Sequence, residues 1–590
     1  MAVGLADRVR STTQAVATDR RRITAVVTVL VPVVIVLVMG WQRRWISDDG
    51  FINFRYVDQI RHGNGPVFNA GERVEAFTSP LWLALLSLLD LVLPLRVEWI
   101  AVASGLILTA LGFVFAAAGA NRLWRELVGD GFSFPAGLLV FAALPPVWDF
   151  ATSGLDNALG VAWLGASWWT LCRRVLPQRA PNQRAKTASI GACMLIGLGP
   201  LVRPDLGIMT VAFLAVLLVA EASWRARGRV IAWALALPLA YQVFRMAYYA
   251  ALVPNTALAK EAGASEWTRG WGYLLDTVRP YRLWIPLLLL VALGLIPLVQ
   301  YVRVRGSRTE SILIAAPIAG GLAHALYVVR VGGDFMHARM LLPSLLCLLL
   351  PLAVVFVRGW RWIPAVLLAP WILVSALVLR PTYDGVPGTG ITDERAFYVT
   401  GSGRANPIRI EDYRDGALES ERGGLAARRV AELGGRGLVL GLNTAVLLPL
   451  KNGVVETPIV SVVLTLGLYG YAAGPKVFVV DSLGLSTALG SHFRVPPPPA
   501  NYPSHGWAGH DKRHTEVWDV ARYAAPAPFE PRDLRDARRS LRCGSVPELL
   551  DAVTAQFGPR RAWSNFWDSF HLTTFRIPED PARAVRELCR

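Results

Sequence analysis

The sequence has 590 residues, 53% of them hydrophobic and only 17% charged, with a mean hydropathy of +0.40. A soluble chain carries about a quarter charged residues, so this composition excludes an ordinary soluble protein and fits one that spends much of its length in lipid. The net charge of +17 does not point to nucleic acid, because the Arg clusters fall between apolar runs, where the positive-inside rule puts them, and not on one folded face.

Residues 1–22 hold Arg8, Arg10, Arg20, Arg21 and Arg22 and read as a cytoplasmic N-terminus. The run Ile23 to Gly40 is long enough to cross a bilayer, and no small-residue cleavage site follows, so it reads as a span and not a signal peptide. The first outer loop, 41–99, opens with Ser47-Asp48-Asp49-Gly50. Adjacent carboxylates at a lipid–water boundary repel each other, so one of them holds its proton more tightly. Ser47 or Asp48 is placed to cap a helix beginning near Gly50. In that helix Phe51, Phe54, Val57 and Ile60 recur at helical spacing, with Arg55, Asp58 and Arg61 elsewhere on the wheel, which predicts a helix lying on the membrane surface. Thr78–Leu93 is apolar but short and reads as re-entrant or interfacial.

Further apolar runs centre on 100–120, 133–147, 153–171, 188–203, 205–222, 230–250, 283–301, 309–328, 341–357 and 363–380. With the first they make about eleven spans, an all-α polytopic module over 23–380. The basic loops Asn121–Glu126, Arg173–Lys186, Arg225–Arg229, Arg303–Arg308 and Arg358–Arg361 then all face the cytoplasm, provided Thr78–Leu93 does not cross. The opposite face receives Pro145–Asn157, Arg203-Pro204-Asp205, Val253–Arg282, Val331–Arg339 and a tail, 381–590. Strand-like Leu438–Leu440 and Val477–Val480, with helix-like Glu516–Tyr523 and Ala582–Cys589, make that tail a small extracytoplasmic α/β domain. In an oxidising compartment Cys543 and Cys589 can pair, whereas Cys172, Cys193 and Cys347 sit in or beside apolar runs and pack.

Carboxylates and cations gather at the outer ends of the spans. A sugar transfer from a lipid phosphate needs a carboxylate to take the acceptor proton, cations to hold the phosphate, and an apolar groove for the lipid. Asp48 and Asp49 are candidates for the first role. Arg203, Lys260, Arg330 and Arg339 are candidates for the second, with His337 a possible partner and Asp205 and Asp334 beside them. Each has a plainer reading: a salt bridge within Arg203-Pro204-Asp205, a snorkelling Arg339 in an interfacial turn, helix caps at Asp149 and Asp156. Trp45, Trp82, Trp148 and Trp267 lie in outer loops where a sugar face can stack. His505, Trp507 and His510 form an acceptor-glycan candidate, or a bland surface loop.

The cytoplasmic N-terminus, the acidic first loop, the helix after it and the outer tail resemble GT-C fold glycosyltransferases. The strings Ser47-Asp48-Asp49-Gly50-Phe51-Ile52, Glu75-Ala76-Phe77-Thr78-Ser79-Pro80-Leu81-Trp82, Gly332-Gly333-Asp334-Phe335-Met336 and Val480-Asp481-Ser482-Leu483-Gly484-Leu485 are similar to those of mycobacterial-type terminal β-(1→2) arabinofuranosyltransferases. The resemblance implies a decaprenyl-phosphoryl-arabinofuranose donor and an arabinan acceptor in arabinogalactan and lipoarabinomannan. It also implies a plasma-membrane location with the active site on the periplasmic face, and catalysis by Asp48 and Asp49. A β-linked donor giving a β-linked product requires net retention, so a second group can act as nucleophile or ion-pair stabiliser. A divalent cation held by the paired acids and a leaving group held by Arg and Lys alone both stay open. A polyprenyl-phosphate-mannose-dependent mannosyltransferase is the near alternative. A lipid-linked glycan transporter is the distant one, and it calls for ionisable groups at the bilayer midplane.

Overall fold

The computed structural model describes residues 30–590 apart from 130, 177–187, 262, 264, 382, 384–389, 415–418, 442–446 and 497–512. His505, Trp507 and His510 therefore lie outside the described residues.

The chain is mainly helical. Among the described residues five helices are long and apolar enough to cross a membrane: Val97–Leu127, Trp224–Tyr249, Trp284–Arg305, Arg308–Arg330 and Gly359–Leu377. Shorter apolar helices cover Leu30–Gln42, Pro80–Val92, Pro204–Ala220 and Arg339–Leu352. The helices Val97–Leu127 and Asn157–Val175 pack side by side through glycines, and a Cβ on Gly165 would stand 2.2 Å from the carbonyl oxygen of Gly112. Such close backbone approach is how small residues join helices in lipid.

Fewer continuous spans are described than the about eleven read from hydropathy, and prolines explain several of the breaks. The run 133–147 is a strand, Phe132–Phe134, followed by two short helices, Ala136–Ala142 and Pro145–Phe150. The strand pairs antiparallel with Val355–Val357, which ends the run 341–357. Pro135, Pro145, Pro146 and Pro351 deny the backbone donors that a continuous helix needs. The run 188–203 divides into Ile190–Gly197 and Gly199–Val202, with Pro200 at the restart. Leu138, Val140 and Phe141 are fully buried, so this sequence is apolar because protein surrounds it.

In the tail, strands Gly437–Leu440, Ile459–Val463 and Val477–Asp481 form a parallel sheet in that order, Val439 lying opposite Ser461 and Ser461 opposite Val479. Helix Leu466–Ala473 supplies the crossover between the second and third strands that parallel pairing requires. Helices Glu516–Tyr523 and Pro581–Leu588 stand where the sequence pattern puts them, and Cys543 is disulfide-bonded to Cys589.

The first-loop helix, Asp48–Arg61, is capped by Ser47, whose Oγ accepts from Gly50 N at 3.0 Å. It does not lie open on a membrane surface as its wheel suggests. Phe51 and Phe54 pack against Tyr471 of the tail, and Phe51 also meets Tyr413. Arg55, expected on the polar side, is 1% exposed. It donates to the carbonyls of Phe68 (2.7 Å), Gly470, Gly474 (3.1 Å) and Val477 (2.7 Å), and to Asn69 Oδ1 (3.1 Å). One guanidinium thus ties the first loop to three carbonyls of the tail.

The contact between loop and tail leaves no room for a side chain at Gly467, where a Cβ would fall 1.8 Å from the carbonyl oxygen of Asp48. Gly467→Ala is expected to destabilise the protein by about 1–3 kcal/mol, the scale of forcing a methyl into a packed interface. A lower unfolding temperature in detergent and faster proteolytic nicking of the tail would report it. Gly191→Ala, at a position with nothing within 4 Å, is the control expected to leave both unchanged.

Candidate active site

Asp48 and Asp49 occupy the first turn of one helix, and neighbouring positions on a helix point in different directions. Asp48 turns to the tail. Its two carboxylate oxygens accept from Gly467 N at 3.0 Å and Leu468 N at 2.7 Å, at the start of helix Leu466–Ala473. Burial pushes its pKa up to about 7, against the pull of these N–H donors. Asp49 turns inward to a cavity of about 70 Å³, where its Oδ2 lies 3.8 Å from the Arg339 guanidinium.

Thr78, Trp82, Asp156, Arg203 and Arg339 also line this cavity. Thr78, Arg203 and Arg339 are at the same time part of the wall of a second cavity of about 750 Å³, so the two adjoin. The larger one carries Lys260, Arg269 and Arg576 and an apolar side that includes Val253, Leu258, Val331 and Met340.

Most of the residues chosen from sequence for the phosphate meet here, and the acids among them orient the cations. Asp205 holds Arg203 through two bonds of 2.7 Å and is itself met by His324 Nε2 at 2.6 Å, while His324 Nδ1 lies 2.7 Å from Ser344 Oγ. Asp334 Oδ2 accepts from Arg339 Nε at 2.6 Å. The turn that allows this puts Gly332 and Gly333 at φ +89° and +74°, a left-handed backbone suited to glycine. Lys260 Nζ stands 5.9 Å from the centre of the Phe335 ring. Arg330 is exposed outside the cavity wall.

His337 does not join Arg339. Its Nδ1 lies 2.6 Å from Asp276 Oδ2 and 2.8 Å from the Tyr383 hydroxyl, and its Nε2 lies 3.0 Å from the Tyr281 hydroxyl, beside a separate small cavity. Trp45, Trp82 and Trp148 are buried, their indole N–H groups donating to the carbonyls of Asp149, Gly154 and Ala142, and of the three Trp82 lines the small cavity that Asp49 faces. Asp149 does not cap a helix but pairs with Arg43 at 2.6 and 2.9 Å.

The sequence reads Asp156 as a helix cap and does not single out Glu394. Asp156 precedes helix Asn157–Val175 without capping it, and its Oδ2 is buried and has no hydrogen-bond partner among the described residues. Arg203 and Arg339 are the positive charges acting on it, and it faces the same small cavity as Asp49. Glu394, from the tail, is 6% exposed beside His337's cavity, where burial and then the charge of Asp49 raise its pKa.

The contact through Asp48 has a definite pH dependence. An unfolded aspartate titrates near 3.8, well below the folded Asp48. The native state therefore holds the proton more tightly, and stability is expected to fall as pH rises from about 4 through about 7 and then level off. Unfolding temperatures between pH 5 and pH 8.5 check this, with the Asp48 contribution to the slope absent in Asp48→Asn.

No family model matches the chain. It is 34% identical over 602 residues to the terminal β-(1→2)-arabinofuranosyltransferase of Mycobacterium tuberculosis, covering 92% of this chain and 94% of that one. It is 32% identical over 600 residues to the protein of the same name from Corynebacterium glutamicum, covering 93% and 85%. A crystal structure of ArnT from Cupriavidus metallidurans bound to undecaprenyl phosphate aligns with 95% of this chain and 90% of that one, at 14% identity and a TM-score of 0.38, a level that carries no argument. Identity above 30% over nearly the whole of both relatives does carry one: the chain belongs to the terminal β-(1→2)-arabinofuranosyltransferase family and is a membrane glycosyltransferase.

Proposed function

We propose that the protein transfers arabinofuranose from decaprenyl-phosphoryl-arabinose to the ends of cell-wall arabinan in arabinogalactan and lipoarabinomannan, forming β-(1→2) linkages. The observation that carries this reading is the shared wall of the two cavities, where Asp49 sits within reach of Arg339 at the edge of a cation-lined space. The lipid phosphate lies against Arg203, Lys260 and Arg339, and the prenyl chain runs along the apolar side. The arabinose points toward Asp49.

Retention at the anomeric carbon calls for two displacements. In the first, a carboxylate attacks C1 and the C1–O bond breaks, its electron pair leaving on the lipid phosphate held by the guanidiniums. In the second, the acceptor hydroxyl attacks C1, the carboxylate leaves, and a base takes the hydroxyl proton. Asp49 and Asp156 are the two carboxylates lining the small cavity, and we assign the two roles to this pair. Asp48, held by backbone N–H groups, is a positioning residue that fixes the helix carrying Asp49.

The active site and the tail, 381–590, face the periplasm in this reading. The support is the basic loops on the other side of the spans and a disulfide of the kind that persists in oxidising compartments.

A cell-free assay offering decaprenyl-phosphoryl-arabinose and polyprenyl-phosphoryl-mannose in parallel, with linkage analysis of the product, tests the reading. Terminal β-(1→2)-arabinose is the expected product, and transfer of mannose alone would overturn it. Asp49→Asn and Asp156→Asn are each expected to lower kcat by about two orders of magnitude or more, the usual scale for a lost acid–base or nucleophilic group. Asp48→Asn is expected to affect stability more than kcat.

A further inference from the structure

The helix Pro559–Leu572, near the end of the tail, has two unlike faces. Asn565, Ser569 and Leu572 are buried and seat it against the end of the span Trp224–Tyr249. There Asn565 Nδ2 donates to the carbonyl of Ala247 at 3.1 Å, and Leu252 N donates to Thr573 Oγ1 at 2.8 Å. On the opposite face Trp563, Trp567 and Phe570 are 67%, 54% and 50% exposed. Their four- and three-residue spacing makes one aromatic stripe. Three large exposed rings on a single face mark a surface that meets something.

The surroundings say what it meets. The same span presents Leu239, Val243 and Phe244 outward, and a spanning helix presents such residues to lipid. Phe244 stacks on Tyr248 at 5.2 Å, and Tyr248 meets Phe557 at 4.9 Å, just before the tail helix begins. These ring contacts link the outward side of the span to the base of the tail helix, with the Arg73 guanidinium over Tyr248 and Phe557. Arg560, exposed at the start of the helix, suits phosphate head groups. Trp is also the residue preferred at the boundary between acyl chains and water.

We infer that Pro559–Leu572 is an interfacial anchor, lying in the bilayer surface with Trp563, Trp567 and Phe570 turned into the lipid. The anchoring does not depend on what the cavity binds. Its consequence does rest on the proposed reading of the site: Thr573 and Arg576, directly after the helix, belong to the wall of the 750 Å³ cavity, and the anchor holds that wall at the depth of a lipid phosphate.

The test uses the full chain in phosphatidylcholine–phosphatidylglycerol nanodiscs. Trp563→Cys, Trp567→Cys and, as a control, Leu433→Cys at an 80% exposed tail position each receive an environment-sensitive fluorophore. The native cysteines are buried or disulfide-bonded and stay unlabelled. Labels at 563 and 567 are expected to be quenched several-fold more than the control by lipid spin-labelled near the head group, and less by aqueous iodide. Quenching equal to the control, or shielding that appears only as protein concentration rises and a second copy covers the stripe, overturns the anchor. The triple variant Trp563→Ser/Trp567→Ser/Phe570→Ser is expected to keep its unfolding temperature in detergent while losing transfer in nanodiscs more than in detergent. Membrane quenching with undiminished bilayer transfer in that variant would keep the anchor and remove its link to the cavity. Failure of the transfer reading itself would show as no arabinose product in any variant, with quenching intact.

Discussion

The arrangement of the site depends on one carboxylate. Asp48 joins the start of the first-loop helix to the start of the tail helix Leu466–Ala473 by accepting two backbone N–H groups that would otherwise have no partner. A hydrogen bond to a charged acceptor contributes about 1.5–3 kcal/mol, roughly twice a neutral one. Burial works in the opposite sense, and the balance leaves a group that titrates near neutrality. Because Asp49 is the next residue on the same rigid turn, fixing Asp48 also fixes the direction of Asp49. The tail therefore takes part in shaping a cavity whose nearest walls all come from the spans and their loops.

The charges around that cavity are paired in a way that favours an anion on one side. Arg203 and Arg339 each have a dedicated acid, Asp205 and Asp334, which hold the guanidinium planes through short bonds. Asp49 and Asp156 then lie opposite cations whose orientation is already set. The wall of the larger cavity carries five cationic side chains against three carboxylates, a surplus that a phosphate would neutralise. Groups preoriented in this way need little reorganisation when charge moves from the sugar to the departing phosphate.

The sequence made the local part of this legible. Ser47 as a cap, the helix after it, the Arg203–Asp205 pair and two of the three sheet strands follow from residues close together in the chain. Ile459–Val463 went unrecognised because Ser461 interrupts its apolar run. The apolar run 133–147 is not one continuous helix, and its Leu138, Val140 and Phe141 are enclosed by protein, which hydropathy does not show because apolarity does not distinguish protein from lipid. A helical wheel put Arg55 on a polar side without knowing that tail carbonyls would cover that side. Asp156 reads as a cap for a similar reason, since the guanidiniums acting on it come from residues 203 and 339. Asp481, noticed within a family-like string, proves to serve the fold: its carboxylate accepts from Leu485 N and Ser486 N at 2.9 and 2.7 Å and shapes the turn after the third strand.

A membrane glycosyltransferase has to bring together a substrate that lives in lipid and one that lives in water, and the division of labour here follows from that. Spans alone can offer an apolar groove, but buried polar groups need partners, and the lipid side supplies none. Arg576 and Thr573 of the tail and Arg203, Lys260 and Arg339 of the loops supply polar groups to the larger cavity, beside the apolar Val253, Leu258, Val331 and Met340. Glu394, also from the tail, extends the acidic side of the site toward Asp49 without entering the small cavity itself. Removing the tail would thus take away more than a lid. It would strip Asp48 of its two backbone N–H donors and let the turn that carries Asp49 relax away from Arg339.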